Sequence, residues 1–264
     1  MSEKRFANEQ LLVSPEWLES HLDDPDVRVV EVTTPGAGYA IGHIRGAVFF
    51  DPIQASSASA LDAQQIAAQL GSLGLSPDKH IIVYDEIGGD RASQMFWLLE
   101  YLGFDRVSLL EGGVERWLAE GHRQTRLPPK IEPTTFTPNL REERIANADW
   151  IASRLEGNQM ILVDCRTEEE FIEGHIPGAG NRNWERNLIL RAYQQFRDAD
   201  ELKKEFAALG ATDGREIVTY CGSGKRSSHS YFTLRLLGYP SVRNYKGSWD
   251  DWQTRADLPK AAGK

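Results

Sequence analysis

Cysteine is nearly absent: the 264 residues hold only Cys165 and Cys221, with no CxxC pair and no Cys/His cluster. A disulfide framework and a zinc site are therefore excluded, and each thiol needs its own account. Basic charge is also short, with 30 Lys and Arg against 39 Asp and Glu and a net charge of −9. A general nucleic-acid or anionic-membrane binder needs a basic surface, so neither partner is expected. Long apolar runs are missing too: none approaches the roughly 20 residues of a membrane span, and Met1 to Gln10 is polar, without the apolar core of a signal peptide. A cytoplasmic location is the expectation. What remains, at 41% hydrophobic and 26% charged residues, is the composition of an ordinary globular chain long enough for two cores.

Internal repetition is what the chain does have. GHIRGA (Gly42 to Ala47) recurs as GHIPGA (Gly174 to Ala179), 132 residues later. HIIVYDEIGGDR (His80 to Arg91) matches EIVTYCGSGKR (Glu216 to Arg226), and EGGVERW (Glu111 to Trp117) matches KGSWDDW (Lys246 to Trp252) at an offset of 135. SPEWL (Ser14 to Leu18) matches NADWI (Asn147 to Ile151) at 133. Matched blocks in one order mean a duplication. The copies are assigned to residues 11–125 and 143–262, joined by a linker at 126–142 whose Pro, Thr and charge favour extended backbone.

Within each copy, short β-branched runs alternate with helical ones. Val27 to Val32, Ile81 to Tyr84, Ile161 to Asp164 and Ile217 to Tyr220 read as strands, while Arg91 to Leu102 and Arg226 to Leu237 read as helices closed by Gly103 and Gly238. The alternation predicts an α/β fold of parallel units, whose ligand sites lie beyond the carboxyl ends of the strands. Cys221 stands at such an end.

The six residues from Cys221 to Arg226 must turn the chain from strand to helix. Gly222 and Gly224 can take positive φ values that aim successive N–H groups inward, the following helix adds its positive end, and Lys225 and Arg226 add whole charges. These features favour a thiolate, which needs no general base to act as a nucleophile. The same donors can hold an oxyanion or a second sulfur on Cys221. A buried inert thiol before a turn is the plain alternative, but Cys, two Gly, Lys-Arg and a Ser-rich helix start are a less common conjunction.

HIPGA, the DCR of Asp164 to Arg166, CGSGKRSS and NYKGSWDDW together resemble the rhodanese-type sulfurtransferases, and the resemblance extends over almost the whole chain. It implies two rhodanese-like α/β domains, each a five-stranded parallel sheet flanked by helices, the first inactive and the second catalytic. It further implies a ping-pong reaction without cofactor or metal: Cys221 takes the outer sulfur of thiosulfate, releases sulfite, and passes the sulfur to cyanide, a cellular thiol or an acceptor protein. Gly222, Ser223, Gly224, Lys225 and Arg226 would bind the donor, with Asp164, Arg166 and Trp249 in support. The related phosphatases and arsenate reductases carry one more loop residue, so the six here favour sulfur over phosphate.

Mercaptopyruvate-using relatives read CGSG followed by Val-Thr and carry an arginine about six residues after the Asp of D-x-R. Here the loop continues with Lys225 and Arg226, and Glu170 takes the arginine's place, where it would repel a carboxylate. Thiosulfate is therefore the expected donor, with 3-mercaptopyruvate the alternative and a non-enzymatic persulfide carrier a further one.

In the first copy Asp85 and Glu86 replace the cysteine in a loop one residue longer, DEIGGDR, so that copy is expected to be a scaffold that walls the cleft, with Arg91 anchoring its loop. By family comparison His43 and His175 are structural hydrogen-bonders. Asp164 and Arg166 either brace the loop or form a surface ion pair. Cys165 is expected to be a small core residue, with a disulfide to Cys221 as the alternative. Trp252 reads as core, Trp249 and Trp184 as candidate cleft walls, Arg182 as positive potential at the mouth, and His229 as a solvated or capping residue.

Overall fold

The matching blocks SPEWL and NADWI are helix starts. Ser14 accepts a hydrogen bond from Trp17 N at 3.1 Å, and Asn147 accepts one from Trp150 N at 2.8 Å, each satisfying an N–H that the first helical turn cannot. The computed structural model describes residues 5–33, 38–52, 62–157 and 159–263. Two units emerge: one is Gln10–Arg141 with Leu190–Gln195, the other Glu142–Ile189 and Phe196–Lys264 with the N-terminal residues through Glu9.

In the first unit the strands are β1 (Leu12–Val13), β2 (Val27–Glu31), β3 (Val48–Phe49), β4 (His80–Tyr84) and β5 (Val107–Leu110), and the helices α1 (Pro15–His21), α2 (Ala63–Ser72), α3 (Asp90–Tyr101) and α4 (Gly113–Ala119). The sheet order is β1-β5-β4-β2-β3, every pairing parallel. In the second unit the sheet strands are β6 (Ile145–Ala146), β7 (Met160–Asp164), β8 (Gly180–Asn181), β11 (Glu216–Tyr220) and β12 (Val242–Tyr245), and between β8 and β11 in the chain β9 (Leu188–Leu190) and β10 (Gln194–Phe196) form a separate two-stranded ribbon. Its helices are α5 (Ala148–Ala152), α6 (Glu168–Glu173), α7 (Ala199–Ala208), α8 (Lys225–Leu236) and α9 (Ser248–Trp252). The order β6-β12-β11-β7-β8, again all parallel, repeats the first sheet strand for strand.

The other repeated blocks have equally local causes. In GHIRGA and GHIPGA the histidine backbone forms a two-way bridge, His43 with Thr125 and His175 with Ala261. The imidazole Nδ1 donates to a carbonyl four residues back, Tyr39 O at 3.0 Å and Phe171 O at 2.8 Å. Both histidines are thus structural, and the following isoleucine N–H donates to a buried tyrosine hydroxyl, Tyr84 or Tyr220. Gly103 and Gly238 sit at φ 97° and 98°, the left-handed conformation that ends α3 and α8. Trp117 and Trp252 each bury the ring in their own core and donate the indole N–H to a backbone carbonyl, at Arg123 and Pro259.

The segment 126–142 carries no helix or strand before Glu142 but is not loose. Thr134 N donates to Gly71 O, Asn139 N to Leu102 O and Arg141 N to Tyr101 O, at 2.8, 3.1 and 2.9 Å. The chain between the two copies thereby satisfies carbonyls near the C-terminal ends of α2 and α3, which helix geometry leaves open.

The first unit has no arginine where the second has Arg166. At the end of β2, Glu31 is 1% exposed and takes hydrogen bonds from the hydroxyls of Thr33 and Tyr84. Burial holds its carboxyl above the ordinary range. A carboxyl raised in the folded state contributes stability in full below its unfolded pKa and loses it as pH rises through the folded value. Glu31→Gln is therefore expected to raise the Tm of the protein at pH 8, with the gain shrinking toward pH 4. An equal shift at both pH values, measured by thermal unfolding, would remove the electrostatic explanation.

Candidate functional site

Strand β11 ends at Tyr220 and α8 begins at Lys225, so Cys221, Gly222, Ser223 and Gly224 form the turn itself. Cys221 is 1% exposed, and its Sγ accepts the Gly224 N–H at 3.2 Å. Gly224 holds φ +84°, and a Cβ there would stand 2.5 Å from the Lys246 carbonyl oxygen, so only glycine fits. Gly222 differs from expectation. It is not among the residues of positive φ, because its carbonyl is held by Asp250 N at 2.9 Å.

The outer side of the turn is fastened by the segment after β12. Cys221 N donates to Ser248 Oγ at 3.1 Å, and Trp249 N donates to Cys221 O at 3.0 Å. Ser248 adopts φ +54°, a conformation uncommon away from glycine, and its hydroxyl also donates to Tyr245 O at 2.7 Å. Asn244, fully buried, joins β12 to the helix start: its Nδ2 donates to Ser228 Oγ at 2.9 Å and its Oδ1 accepts from Ser227 Oγ at 2.7 Å. Sequence reasoning missed Asn244, Ser227 and Ser248. The available signal was polar residues where a strand end and a buried helix face call for apolar ones.

Asp164 and Arg166 form a buried pair rather than a surface one. Arg166 Nη2 donates to Asp164 Oδ2 at 2.6 Å with both side chains nearly inaccessible, and the same nitrogen donates to Gly174 O at 2.6 Å. The guanidinium lies 5.0 Å from the centre of the Trp249 ring, and the pairing of β7 with β11 puts Asp164 beside Tyr220, one residue before the cysteine. Asp164, Arg166 and Trp249 thus meet behind the turn.

The loop's cations are not alike. Lys225 opens α8 and is partly buried, and Ser223 is exposed. Arg226 donates from Nη1 and Nη2 to the two carboxylate oxygens of Glu170, both at 2.7 Å. Those bonds bring the Glu170 carboxyl down to about 2 and hold the guanidinium above its usual value, with the Cys221 sulfur adding to the latter. Glu170 was expected only to repel; it is engaged with Arg226.

Two further expectations are corrected. Arg182 is 2% exposed, paired with Glu205 at 2.9 Å and lying over Phe206, so it adds no charge at a mouth. His229 is fully buried, not solvated: its Nδ1 accepts from Asn187 Nδ2 at 3.1 Å, its ring stacks on Phe196 and meets Trp184 edge-on, and burial with Arg182 nearby pushes it down to about 3. Arg91 pairs with Asp51 at 4.0 Å. Cys165 is the buried core residue expected; its N–H extends the ladder to Tyr220 O, and burial pushes its thiol up.

In the first copy the turn is closed around its own anion. Asp85 Oδ1 accepts from the N–H groups of Ile87, Gly88 and Gly89, and Oδ2 from those of Gly89 and Ala92, at 2.5–3.1 Å. Burial raises the carboxyl while these donors oppose the rise. The turn is an anion cradle, and here a carboxylate fills it.

Two stretches of the chain, residues 14–120 and 147–255, match the model of the rhodanese-like domain. The chain belongs to the rhodanese-like family. The thiosulfate sulfurtransferase of Azotobacter vinelandii is similar, at 33% identity over 96% of this chain and 98% of that one. A sulfur carrier protein, TtuD of Thermus thermophilus, is 33% identical over 98% of this chain and 99% of its own. Among solved structures, the 3-mercaptopyruvate sulfotransferase SseA of Escherichia coli superposes with a TM-score of 0.80 at 28% identity, over 90% of this chain and 98% of that one. Of the two rhodanese-like copies, only the second presents a sulfur at the cradle.

Removing one member of a buried ion pair leaves the other charge unmatched. Arg166→Ala should destabilise the protein by about 3–5 kcal/mol, as measured by denaturant unfolding. A cost below about 1 kcal/mol would mean that Asp164 finds another partner.

Proposed function

We propose that this rhodanese-like protein is a sulfurtransferase that moves sulfane sulfur from thiosulfate, through a persulfide on Cys221, to cyanide or a thiol. The observation that carries the proposal is the buried Cys221 sulfur at the head of the six-residue stretch Cys221–Arg226, with the Gly224 N–H directed at it and the start of α8 behind it. An anionic sulfur at that point attacks the outer sulfur of thiosulfate. The new S–S bond forms as the old one breaks, and sulfite leaves with the bonding pair. The persulfide's terminal sulfur then takes the place of the first anion among the amides. Cyanide attacks that sulfur, thiocyanate departs, and the cysteine sulfur recovers its electron pair. Atoms and electrons balance without a redox partner.

Thiosulfate is favoured over 3-mercaptopyruvate because the site offers no arginine where mercaptopyruvate enzymes hold the carboxylate; Glu170 stands there and engages Arg226. The small turn also suits a compact tetrahedral dianion. A second mode of use draws on the Thermus relative named as a sulfur carrier: the same persulfide delivered to an acceptor protein. Cysteine-dependent phosphatase or arsenate-reductase chemistry is the least supported, since its longer loop is absent.

Incubation with thiosulfate should add one sulfur to Cys221, seen by mass spectrometry of the intact protein and its peptides, and cyanide should remove it. Cys221→Ser should lose the adduct and reduce turnover by more than about a thousandfold with the fold intact, since a serine hydroxyl is a far weaker acid. No adduct, combined with hydrolysis of an aryl phosphate, would overturn the proposal; an adduct with negligible turnover on small acceptors would favour the carrier mode. Lys225→Glu should raise KM for thiosulfate by about tenfold through reversed charge at the helix start. An unchanged KM would place the Lys225 ammonium away from the donor.

A further inference from the structure

Three arginines surround the strand ends that carry Cys165 and Cys221, and each has a carboxylate partner: Arg166 has Asp164, Arg182 has Glu205, which Arg186 and Arg197 also face, and Arg226 has Glu170. The first two are structural, with guanidiniums at 4% and 2% exposure. The third is open, at 28% for Arg226 and 36% for Glu170. It is also the pair that belongs to the loop. Arg226 is the second residue of α8, and its Nη2 lies 3.2 Å from where a Cβ on Gly222 would stand, so the guanidinium lies over the turn.

Glu170 is placed before any ligand arrives. It is the third residue of α6 and completes a capping box with Thr167: its N–H donates to Thr167 Oγ1 at 3.3 Å, and its Oε2 accepts Thr167 N at 3.1 Å. The same Oε2 accepts Arg226 Nη1, and Oε1 accepts Nη2. Both terminal nitrogens of the guanidinium therefore face a protein carboxylate in the planar, two-bond geometry that an arginine would otherwise offer to a substrate carboxylate.

We propose that Glu170 is a specificity-determining residue that acts through Arg226: by engaging both terminal nitrogens it denies that fork to a donor's carboxylate and leaves a compact tetrahedral dianion to the turn's amides and Lys225. The proposal rests on the sulfur-donor function assigned above and names what selects the donor. Glu170 touches no reacting atom and is a positioning residue.

Binding and turnover separate this role from a merely structural one. Glu170→Gln keeps the capping box, which accepts glutamine as well as glutamate, and removes the charge. In a Cys221→Ser background, which cannot react, calorimetric titration with pyruvate as the carboxylate probe and thiosulfate as the tetrahedral one reads affinity alone. Glu170→Gln should tighten pyruvate by about tenfold, the worth of one charge-assisted pairing, and thiosulfate by less than about threefold. With Cys221 intact, the ratio of kcat/KM for 3-mercaptopyruvate over thiosulfate should rise by about tenfold through KM, kcat staying level. Adding Arg226→Lys should cancel both gains, because an ammonium has charge but no fork. Equal changes for the two ligands, no tightening of pyruvate, or a gain that survives Arg226→Lys would each overturn the proposal. If the wild-type protein takes sulfur from neither donor, the sulfur-transfer function fails, while the titrations on the Cys221→Ser protein still decide what Glu170 does.

Discussion

A backbone N–H aimed at a buried point demands an acceptor there, and in both copies the turn between the third sheet position and its helix supplies one. In the first copy Asp85 answers the demand with a carboxylate that takes hydrogen bonds from the N–H groups of Ile87, Gly88, Gly89 and Ala92, in the loop and helix start. In the second the Cys221 sulfur takes the Gly224 N–H, and the position that the first copy fills with an oxygen pair is held by one polarizable atom. The surrounding residues follow from this. Ser248 and Trp249 fasten the cysteine's own amide and carbonyl, and Asn244 secures the helix start, which holds the turn in place.

Charge around the second copy's turn is matched locally rather than accumulated. A run of Lys-Arg beside a thiol suggests a strongly positive pocket, yet the carboxylates of Asp164 and Glu170 each face one arginine, and Glu205 faces three, Arg182, Arg186 and Arg197. Burying a guanidinium without a partner costs several kcal/mol, about the size of a domain's whole stability margin, so the two inner arginines require theirs. The outer pair is under no such compulsion, being partly in water. Its two-bond geometry is set by the capping of α6, and its consequence is chemical: the arginine's recognition face is turned to the protein.

The repeats, the strand-and-helix order and the cysteine's place were legible because they rest on local rules. Ser14 and Asn147 cap, Gly103 and Gly238 terminate, and the β-branched runs extend, each for reasons contained within a few residues. Asp164 and Arg166, two residues apart, were visible as a pair, but their burial was not. Arg182 and His229 were misjudged for the same reason: their polar side chains read as exposed, and only the packing of Phe206 of α7 and Phe196 of β10 against them encloses both. Gly222 is free by its type to take a left-handed conformation but does not, and its carbonyl accepts from Asp250 N, 28 residues on.

What the sequence by itself determined is which of its two turns carries a sulfur and how many residues enclose it, since both are matters of residue identity and count. What only the tertiary structure decided is which charges remain available around that sulfur. Glu170 and Arg226 are 56 residues apart, and nothing local to either names the other. Strand pairing of β7 with β11 brings α6 and α8 to one end of the sheet, and at 2.7 Å in a partly desolvated pocket two opposite charges bind each other before they bind anything else.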